Sequence, residues 1–544
     1  MDAPLTLANS LPLAVFGSID WCIVGGYFAL MIYMGVIAAR KDQDTKEYFL
    51  ADRSMPTWAV AISIVATSLS AATFVSVPDT AFGGNLSYLA LYIGALLSVV
   101  VVSVVFVPKL YRAGTVTIYG YLDQRFGQGA MIAMSVAFLL GRMLASGARL
   151  FIAAIPLCLL MFAKRHDASF HATHGQLIIA ICLIGLVGTF YTSFGGIRTV
   201  IWIDVIQFLI VIGAGVMSVL VIFHAVHLSV HDTLQLLNQP DAKTGHSKLL
   251  LIDTSRDLLK PYTIWAAIFG YTVLSTATYG VDQDLAQRFL VAKSVTRGAL
   301  SLIWSQLISI VVVFGFLLIG LMLYVGVKTN AISASPSGIA IYPWFLLNDM
   351  PTALSGIAIA GFFAIAQGSM DSAINALASS AVADIYYPLR RRGGRSDESN
   401  HDAAIPKLAV AGMGALMTAL GVVCVFLYDE KNRTLIDFAL GVLTFAFTGM
   451  LGVFLTALLT RRGNTASVIA ALLTGIVAVV LMQPTILPRW TGAVFHHPIA
   501  LAWTWWTPIG TIFSFAVCAM GSPRSSPGAT APPFLVQPIS ARRS

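Results

Sequence analysis

Charge is scarce in this sequence. Only 11% of the 544 residues are charged, whereas 57% are hydrophobic. Soluble proteins carry about 25% charged residues, so this composition predicts a membrane protein. The net charge of +8 does not indicate nucleic-acid binding, because the basic residues are spread over short loops between apolar runs. We expect no nucleic-acid partner.

Catalytic and metal-binding motifs are also missing. The five cysteines lie scattered in apolar runs without metal-ligand spacing, which indicates small buried hydrophobic residues. No P-loop, Ser-His-Asp or HExxH arrangement occurs, so ATP use and hydrolysis are not expected. The adjacent His496 and His497 have no further candidate ligands nearby in sequence. The first apolar run, 19–39, is too long for a cleavable signal peptide. We therefore expect neither an enzyme nor a bound cofactor.

Long apolar runs dominate what is present. Thirteen of them reach the length of about 17–25 residues that a helix needs to span a bilayer. The sequence thus predicts an all-α integral membrane protein with about 13 transmembrane helices. Lysine and arginine favour alternate loops by about two to one, which predicts an outer N-terminus and a cytoplasmic C-terminus. The expected location is the plasma (inner) membrane, with multiple passes.

One apolar stretch, Gly361–Pro388, contains an unusual set of polar residues at its centre. A carboxylate at mid-bilayer costs about 2.5–3.5 kcal/mol on insertion scales unless it is paired, so Asp371 needs a partner or a function. Its polar neighbours are Gln367, Gly368, Ser369, Ser372 and Asn375. The stretch is therefore a candidate site.

Two further runs, 58–82 and 271–280, are rich in serine and threonine. They are the first and sixth members of a ten-span unit that starts at the second span. Interrupted segments at matching places in two halves are typical of inverted-repeat transporters, in which unwound backbone offers carbonyl oxygens to a cation. The alternative is that these small residues only allow close helix packing.

Three charged residues lie within other spans. Arg142 and Arg149 are seven residues apart and share a helix face, and Asp204 lies a few residues into its run. In one interpretation they form structural ion pairs. In the other, Asp204 and Asp371 face a cation and one arginine faces an anionic solute, since hard cations prefer oxygen ligands. The sequence leaves both interpretations open.

Six segments in order resemble the sodium/solute symporter family, which includes sodium-driven sugar, proline, pantothenate, monocarboxylate and sialic acid transporters. They are KEYFLADRSMPTW, TVTIYGYLDQRFG, TSFGGIRTVIWIDVIQ, GVDQDLAQRFLVAKS, the stretch Gly361–Pro388 and DFALGVLTFAFTGMLGVFLTALLTRRGN. The resemblance covers about residues 18 to 483 and implies a LeuT-like core of two inverted five-helix repeats. It predicts an N-terminal helix and inner loop (1–55), the repeats (56–226 and 262–459), accessory helices (460–520) and a disordered cytoplasmic tail (521–544).

The resemblance also implies sodium ligands. The common site of the family corresponds to backbone at Ala66, Leu69 and Ile365, and to positions Gly368 and Ser369. A further site in some members corresponds to Asp204, Asp371 and Ser372. The family usually has two hydroxyls where this chain has Gly368 and Ser369, so one ligand is missing. We hypothesise that the negative charge of Asp371, where a serine is common, offsets this loss.

The expected solute site faces the first, third and sixth helices of the core. Its candidate residues are Ser68, Ser70, Thr73, Arg142, Arg149, Ser275 and Thr276. An arginine suits a carboxylate, which favours an organic acid or amino acid over a neutral sugar.

The expected function is sodium-coupled symport by alternating access. The alternatives are a proton-coupled symporter of the same fold, or a membrane solute sensor acting through a separate partner because the 25-residue tail has no room for a fused kinase. The expected partners are Na⁺, a small-molecule solute and the lipid bilayer. The sequence does not decide the oligomeric state, and a monomer is among the open possibilities.

Overall fold

The computed structural model describes residues 17–38, 45–163, 170–241, 245–336, 339–392, 404–427 and 435–523, and the regular elements in these ranges are helical. The helices are α1 Ser18–Ala38, α2 Thr45–Leu50, α3 Thr57–Ser68, α4 Ala71–Gly83, α5 Leu91–Val101, α6 Val107–Ala113, α7 Gly120–Phe126, α8 Gln128–Phe162, α9 His174–Val226, α10 Val230–Asn238, α11 Thr272–Val281, α12 Gln283–Leu290, α13 Val295–Lys328, α14 Ile341–Asn348, α15 Leu354–Ser380, α16 Tyr387–Arg392, α17 Ala404–Leu427, α18 Leu435–Leu459, α19 Thr465–Leu481, α20 Leu487–Phe495 and α21 Trp506–Met520. Three π-helical segments adjoin α-helices. They are Val102–Phe106 after α5, Ala266–Tyr271 before α11 and Ala381–Tyr386 after α15.

Many of these helices are long and apolar enough to cross a membrane. Within the described ranges, seven helices meet that requirement, or eight if α3 and α4 form one bent span, and three shorter apolar helices accompany them. The number thirteen therefore stays a prediction. The sequence predicts separate apolar runs at 175–192 and 199–226, and α9 is kinked between them at Gly196, where φ is 59°. That backbone conformation is accessible to glycine at little cost.

The first hydroxyl-rich run is a broken helix. α3 and α4 meet at an angle of 69°. Leu69 and Ser70 between them are extended, with φ/ψ of −75°/148° and −144°/172°. The Ser70 N–H donates to Thr73 Oγ1 at 3.3 Å, which caps α4. The Ala66 carbonyl, four residues earlier, thereby loses its usual helical donor and becomes available to a ligand.

The second hydroxyl-rich run ends at a similar break. Between α11 and α12, Asp282 is extended (φ −84°, ψ 117°) and its side chain accepts the Asp284 N–H at 3.0 Å. The predicted repeats 56–226 and 262–459 thus each begin with an interrupted helix. The division of the chain into these domains stays a prediction, and so does the topology of its ends. Most of the predicted tail, 521–544, lies outside the described residues.

α15 lies at the centre of the bundle. It packs against α1, α3, α8, α9 and α17. In its apolar membrane-spanning segment, 94% of the residues are buried inside the protein. A mainly apolar helix that other helices cover on all sides belongs to the core of the bundle. The polar residues at its middle therefore face other helices and do not face lipid.

The contact between α13 and α4 requires a glycine. A Cβ added at Gly320 would lie 2.0 Å from the Pro78 carbonyl oxygen, whereas one at Gly315 of the same helix meets nothing within 4 Å. We expect Gly320→Ala to destabilise the protein by about 1–3 kcal/mol, because backbone on both sides must shift. Gly315→Ala, the matched control, should have the melting temperature of the wild type or slightly above it. Thermal unfolding of the purified proteins measures this; equal melting temperatures of the two variants would refute the tight contact.

Candidate ion and solute site

The middle of α15 lies against the broken helix α3. The hydroxyl oxygens of Thr67 and Ser372 are 3.1 Å apart, and the Ser372 hydroxyl also donates to the Gly368 carbonyl at 2.5 Å. Thr67 in turn donates to the Ser63 carbonyl at 2.8 Å. The break in the first core helix and the polar centre of α15 therefore form one connected region, as the sequence predicts.

Asp204 on α9 joins this region from a third side. Its Oδ2 accepts the Ser63 hydroxyl at 2.5 Å and lies 3.2 Å from an amino nitrogen of Arg288. The carboxylate is fully buried, and its other oxygen, Oδ1, has no hydrogen-bond partner among the described residues. One carboxylate oxygen of Asp204 therefore takes part in an ion pair, and the other oxygen is available to a ligand.

Arg288 on α12 is fully buried although it is charged. It is 0% exposed and donates to Asp284 Oδ1 at 2.9 Å and to the Ser63 hydroxyl at 2.9 Å. It also donates to Ser372. Arg288 follows Asp284 by four residues, and this i,i+4 spacing is the feature of the sequence that could have indicated their ion pair. A buried guanidinium needs such partners because removing charge from water is costly.

Arg142 belongs to the same buried ion network. It lies 2.7 Å from Asp282 Oδ2 and also pairs with Asp284, and its side chain is 2% exposed. The network therefore contains two guanidinium groups and three carboxylates, those of Asp204, Asp282 and Asp284. With all of them ionised, it has one more negative charge than positive charge. The geometry of Arg142 is that of a structural ion pair, and a solute-binding role for it stays a prediction.

Arg149 has different surroundings. It lines a small cavity between α4, α8 and α15, and no carboxylate of the described residues lies within ion-pair distance of it. Hydroxyl groups from two neighbouring helices face the same space. The lining includes Ser70, Ser146, Arg149, Ala366, Ser369 and Met370. An arginine without a counter-ion beside serine hydroxyls can bind an anionic group.

The other predicted solute residues are not among the residues that line this cavity. Ser68 donates to the Val65 carbonyl at 2.9 Å, and Thr276 donates to the Thr272 carbonyl at 2.7 Å. Thr73 caps α4, and Ser275 is buried on α11. Their roles in binding stay predictions.

The predicted sodium residues fall into two groups. Backbone at Ala66 and Leu69 lies at the break between α3 and α4, and Ile365 and Ser369 lie on α15, where Ser369 lines a cavity with Ser70. Asp371 instead faces α9, where its Oδ1 accepts the Thr192 hydroxyl at 2.9 Å. The atoms nearest to a side chain at Gly368 belong to Gln207, Asp204 and Ala66, and none belongs to Asp371. Sequence reasoning did not identify Gln207, and the compensating role of Asp371 stays a prediction.

These features define a class of protein: a helical membrane transporter whose broken helices meet polar and charged side chains at the centre of the bundle. The sequence model of the sodium:solute symporter family matches residues 48–475, and the chain belongs to this family. It is therefore a sodium-coupled solute symporter and not an enzyme. Na⁺ and a small-molecule solute are its partners.

Two relatives and one solved structure illustrate the similarity. The Sodium/sialic acid symporter SiaT of Proteus mirabilis (strain HI4320) is 29% identical over 479 residues, which cover 85% of this chain and 89% of SiaT. Sodium-coupled monocarboxylate transporter 2 of Bos taurus is 26% identical over 506 residues, covering 90% of this chain and 75% of the relative. The structure of a Na⁺-coupled sialic acid symporter in a substrate-bound outward-open state aligns with a TM-score of 0.76 at 23% identity, over 93% of this chain and 98% of that one. This likeness confirms the all-α membrane fold with a LeuT-like core.

Proposed function

We propose that this protein imports a small organic acid together with Na⁺. The observation that supports it most is Arg149, which lies at a cavity lined by Ser70, Ser146 and Ser369 and has no ion-paired carboxylate among the described residues. A planar guanidinium binds a carboxylate through two parallel hydrogen bonds, which a neutral sugar cannot provide. The two relatives described above are named as transporters of acids, of sialic acid and of monocarboxylates.

The coupling ion binds beside the same cavity in this proposal. Ser369 of α15 and Ser70 at the break between α3 and α4 line this cavity. The proposed common sodium site combines Ser369 with backbone at Ala66, Leu69 and Ile365. A second set consists of Asp371 and Ser372, about one helix turn further along α15, and Asp204 of α9. Bound Na⁺ favours the conformation open to the outside, and the solute then binds next to it. The two repeats rock so that both are released inside.

The driving force is the sodium gradient and the membrane potential. Each elementary charge that crosses the membrane gains about 2.3 kcal/mol per 100 mV. Because the coupling between two ligands is reciprocal, Na⁺ must raise the affinity for the acid by the same factor as the acid raises the affinity for Na⁺. In the proposed orientation, the N-terminus lies outside and the C-terminus lies in the cytoplasm.

Uptake into proteoliposomes tests the proposed solute class. The panel consists of labelled monocarboxylates, sialic acid, amino acids and neutral sugars, each with an inward Na⁺ gradient and with K⁺ in its place. We expect accumulation of at least one carboxylate solute in Na⁺ and no accumulation of the sugars. Accumulation of a neutral sugar without any carboxylate would overturn the assignment. Empty liposomes are the control for leakage.

A further inference from the structure

A gap in α15 lies next to three oxygen atoms that point towards it. Gly368 has no side chain, and a Cβ built there would lie 2.8 Å from Gln207 Oε1, 3.5 Å from Asp204 Oδ1 and 3.9 Å from the Ala66 carbonyl oxygen. The Gln207 side chain is 1% exposed, and that of Asp204 is 0% exposed. Among the residues that the structure describes, neither Gln207 Oε1 nor Asp204 Oδ1 has a hydrogen-bond partner. Buried oxygens without donors are costly, so this arrangement calls for a ligand.

The orientation of the Gln207 amide is fixed from the other side. Its nitrogen donates to the Tyr27 hydroxyl at 3.0 Å, and Tyr27 donates to Gln367 Oε1 at 2.8 Å. Both residues are buried. Because the amide nitrogen is held by Tyr27 of α1, the amide oxygen faces the gap at Gly368. The helix that precedes the two repeats thus helps to shape the centre of the protein.

We propose that Gln207 Oε1, Asp204 Oδ1 and the Ala66 carbonyl bind a monovalent cation, Na⁺ in this protein, in the space that Gly368 leaves open. The ligands are carboxylate, amide and carbonyl oxygens, the types that hard cations prefer. One of the three oxygens belongs to the carboxylate of Asp204, a group whose negative charge complements a cation. Gln207 supplies the oxygen that a hydroxyl at position 368 would otherwise provide. The inference rests on sodium coupling and adds a ligand and a positioning residue to it.

Sodium-dependent thermal stability tests the site without any solute. The purified protein is melted in detergent over a range of NaCl concentrations, with choline chloride keeping the ionic strength constant, since a ligand stabilises the folded state according to its affinity. We expect Gln207→Ala to raise the half-saturating Na⁺ concentration about tenfold or more, equivalent to losing one ion–oxygen contact. Ser218→Ala, a buried hydroxyl of the same helix that contacts Tyr342, is the control and should leave the Na⁺ response unchanged.

An exchange of residues makes the test specific. In Gln207→Ala/Gly368→Ser, the removed amide oxygen is replaced by a hydroxyl on the facing helix, and we expect most of the lost Na⁺ affinity to return. Gln207→Ala/Gly368→Ala adds the same Cβ without an oxygen and should stay as weak as Gln207→Ala or weaker. Equal Na⁺ affinities of the two double variants would overturn the proposal.

Tyr27→Phe provides an independent check in a protein with every ion ligand intact. Without the hydroxyl, the Gln207 amide is free to rotate, and we expect a severalfold weaker Na⁺ response. An unchanged response would contradict the positioning role. A wild-type protein that is not stabilised by Na⁺ would contradict sodium binding as such. Normal Na⁺ stabilisation without uptake of any acid would refute only the proposed solute class.

Discussion

Arg149→Gln should abolish uptake of the carboxylate solute while Na⁺ still stabilises the protein. The guanidinium lies at the cavity, and no carboxylate in the described part of the chain is within ion-pair distance of it, so its hydrogen-bond donors are available to the solute. Two charge-assisted hydrogen bonds contribute about 1.5–3 kcal/mol each, which corresponds to a loss of affinity of roughly a hundredfold or more. The measurements are initial uptake rates against solute concentration and, separately, melting temperature against Na⁺ concentration.

Two control variants separate charge from geometry and from general damage. Arg149→Lys keeps the positive charge but loses the planar pair of donors, so it should fall between the wild type and Arg149→Gln. Arg489→Gln removes the same type of side chain from an exposed position on α20 and should leave uptake unchanged. An unaltered KM for the acid in Arg149→Gln would rule out Arg149 as its ligand.

Arg288→Gln should destabilise the protein severely. Its guanidinium bonds Asp204 and Asp284, both fully buried, and removal of one partner leaves the carboxylates uncompensated. Breaking a buried ion pair in this way costs about 3–5 kcal/mol. We expect a much lower yield of monodisperse protein and a melting temperature lowered by several degrees or more, measured by size exclusion and thermal unfolding.

An exposed ion pair of the same chain provides the comparison. Lys260 and Asp253 lie 3.4 Å apart, with the lysine side chain 47% exposed. Solvent-exposed pairs contribute about 0–1 kcal/mol, so Lys260→Gln should melt close to the wild type. Comparable melting temperatures for Arg288→Gln and Lys260→Gln would contradict the structural importance of the buried network.

The fold followed from local features of the sequence. Apolar runs predict the helices, and the hydroxyl-rich run before α4 predicts the break at Leu69 and Ser70. Gly196, where a φ of 59° kinks α9, lies between the two apolar runs expected at 175–192 and 199–226. A glycine in an apolar run does not by itself show whether the chain bends or stops.

The site was only partly predictable, because its contacts join residues distant in sequence. Asp204 and Asp371 stand out as charges in apolar runs, but the partner of Asp204, Arg288, is 84 positions away. Gln207 gave no signal, because an uncharged amide in an apolar helix is common. Its importance follows from the missing side chain at Gly368, on a helix that only the fold brings close. Arg142 and Arg149 share a helix face, and the positions of Asp282 and Asp284 determine which of them is neutralised.

The most direct test of the proposed function is to determine which ion gradient drives uptake of the acid. Uptake of a carboxylate solute into proteoliposomes is measured under two conditions. One has an inward Na⁺ gradient at constant pH, and the other has an inward proton gradient without Na⁺. The membrane potential is clamped in both. The account predicts accumulation above equilibrium with the Na⁺ gradient and none with the proton gradient alone. Accumulation driven by protons without Na⁺ would contradict it, and would assign the buried carboxylates to proton transfer.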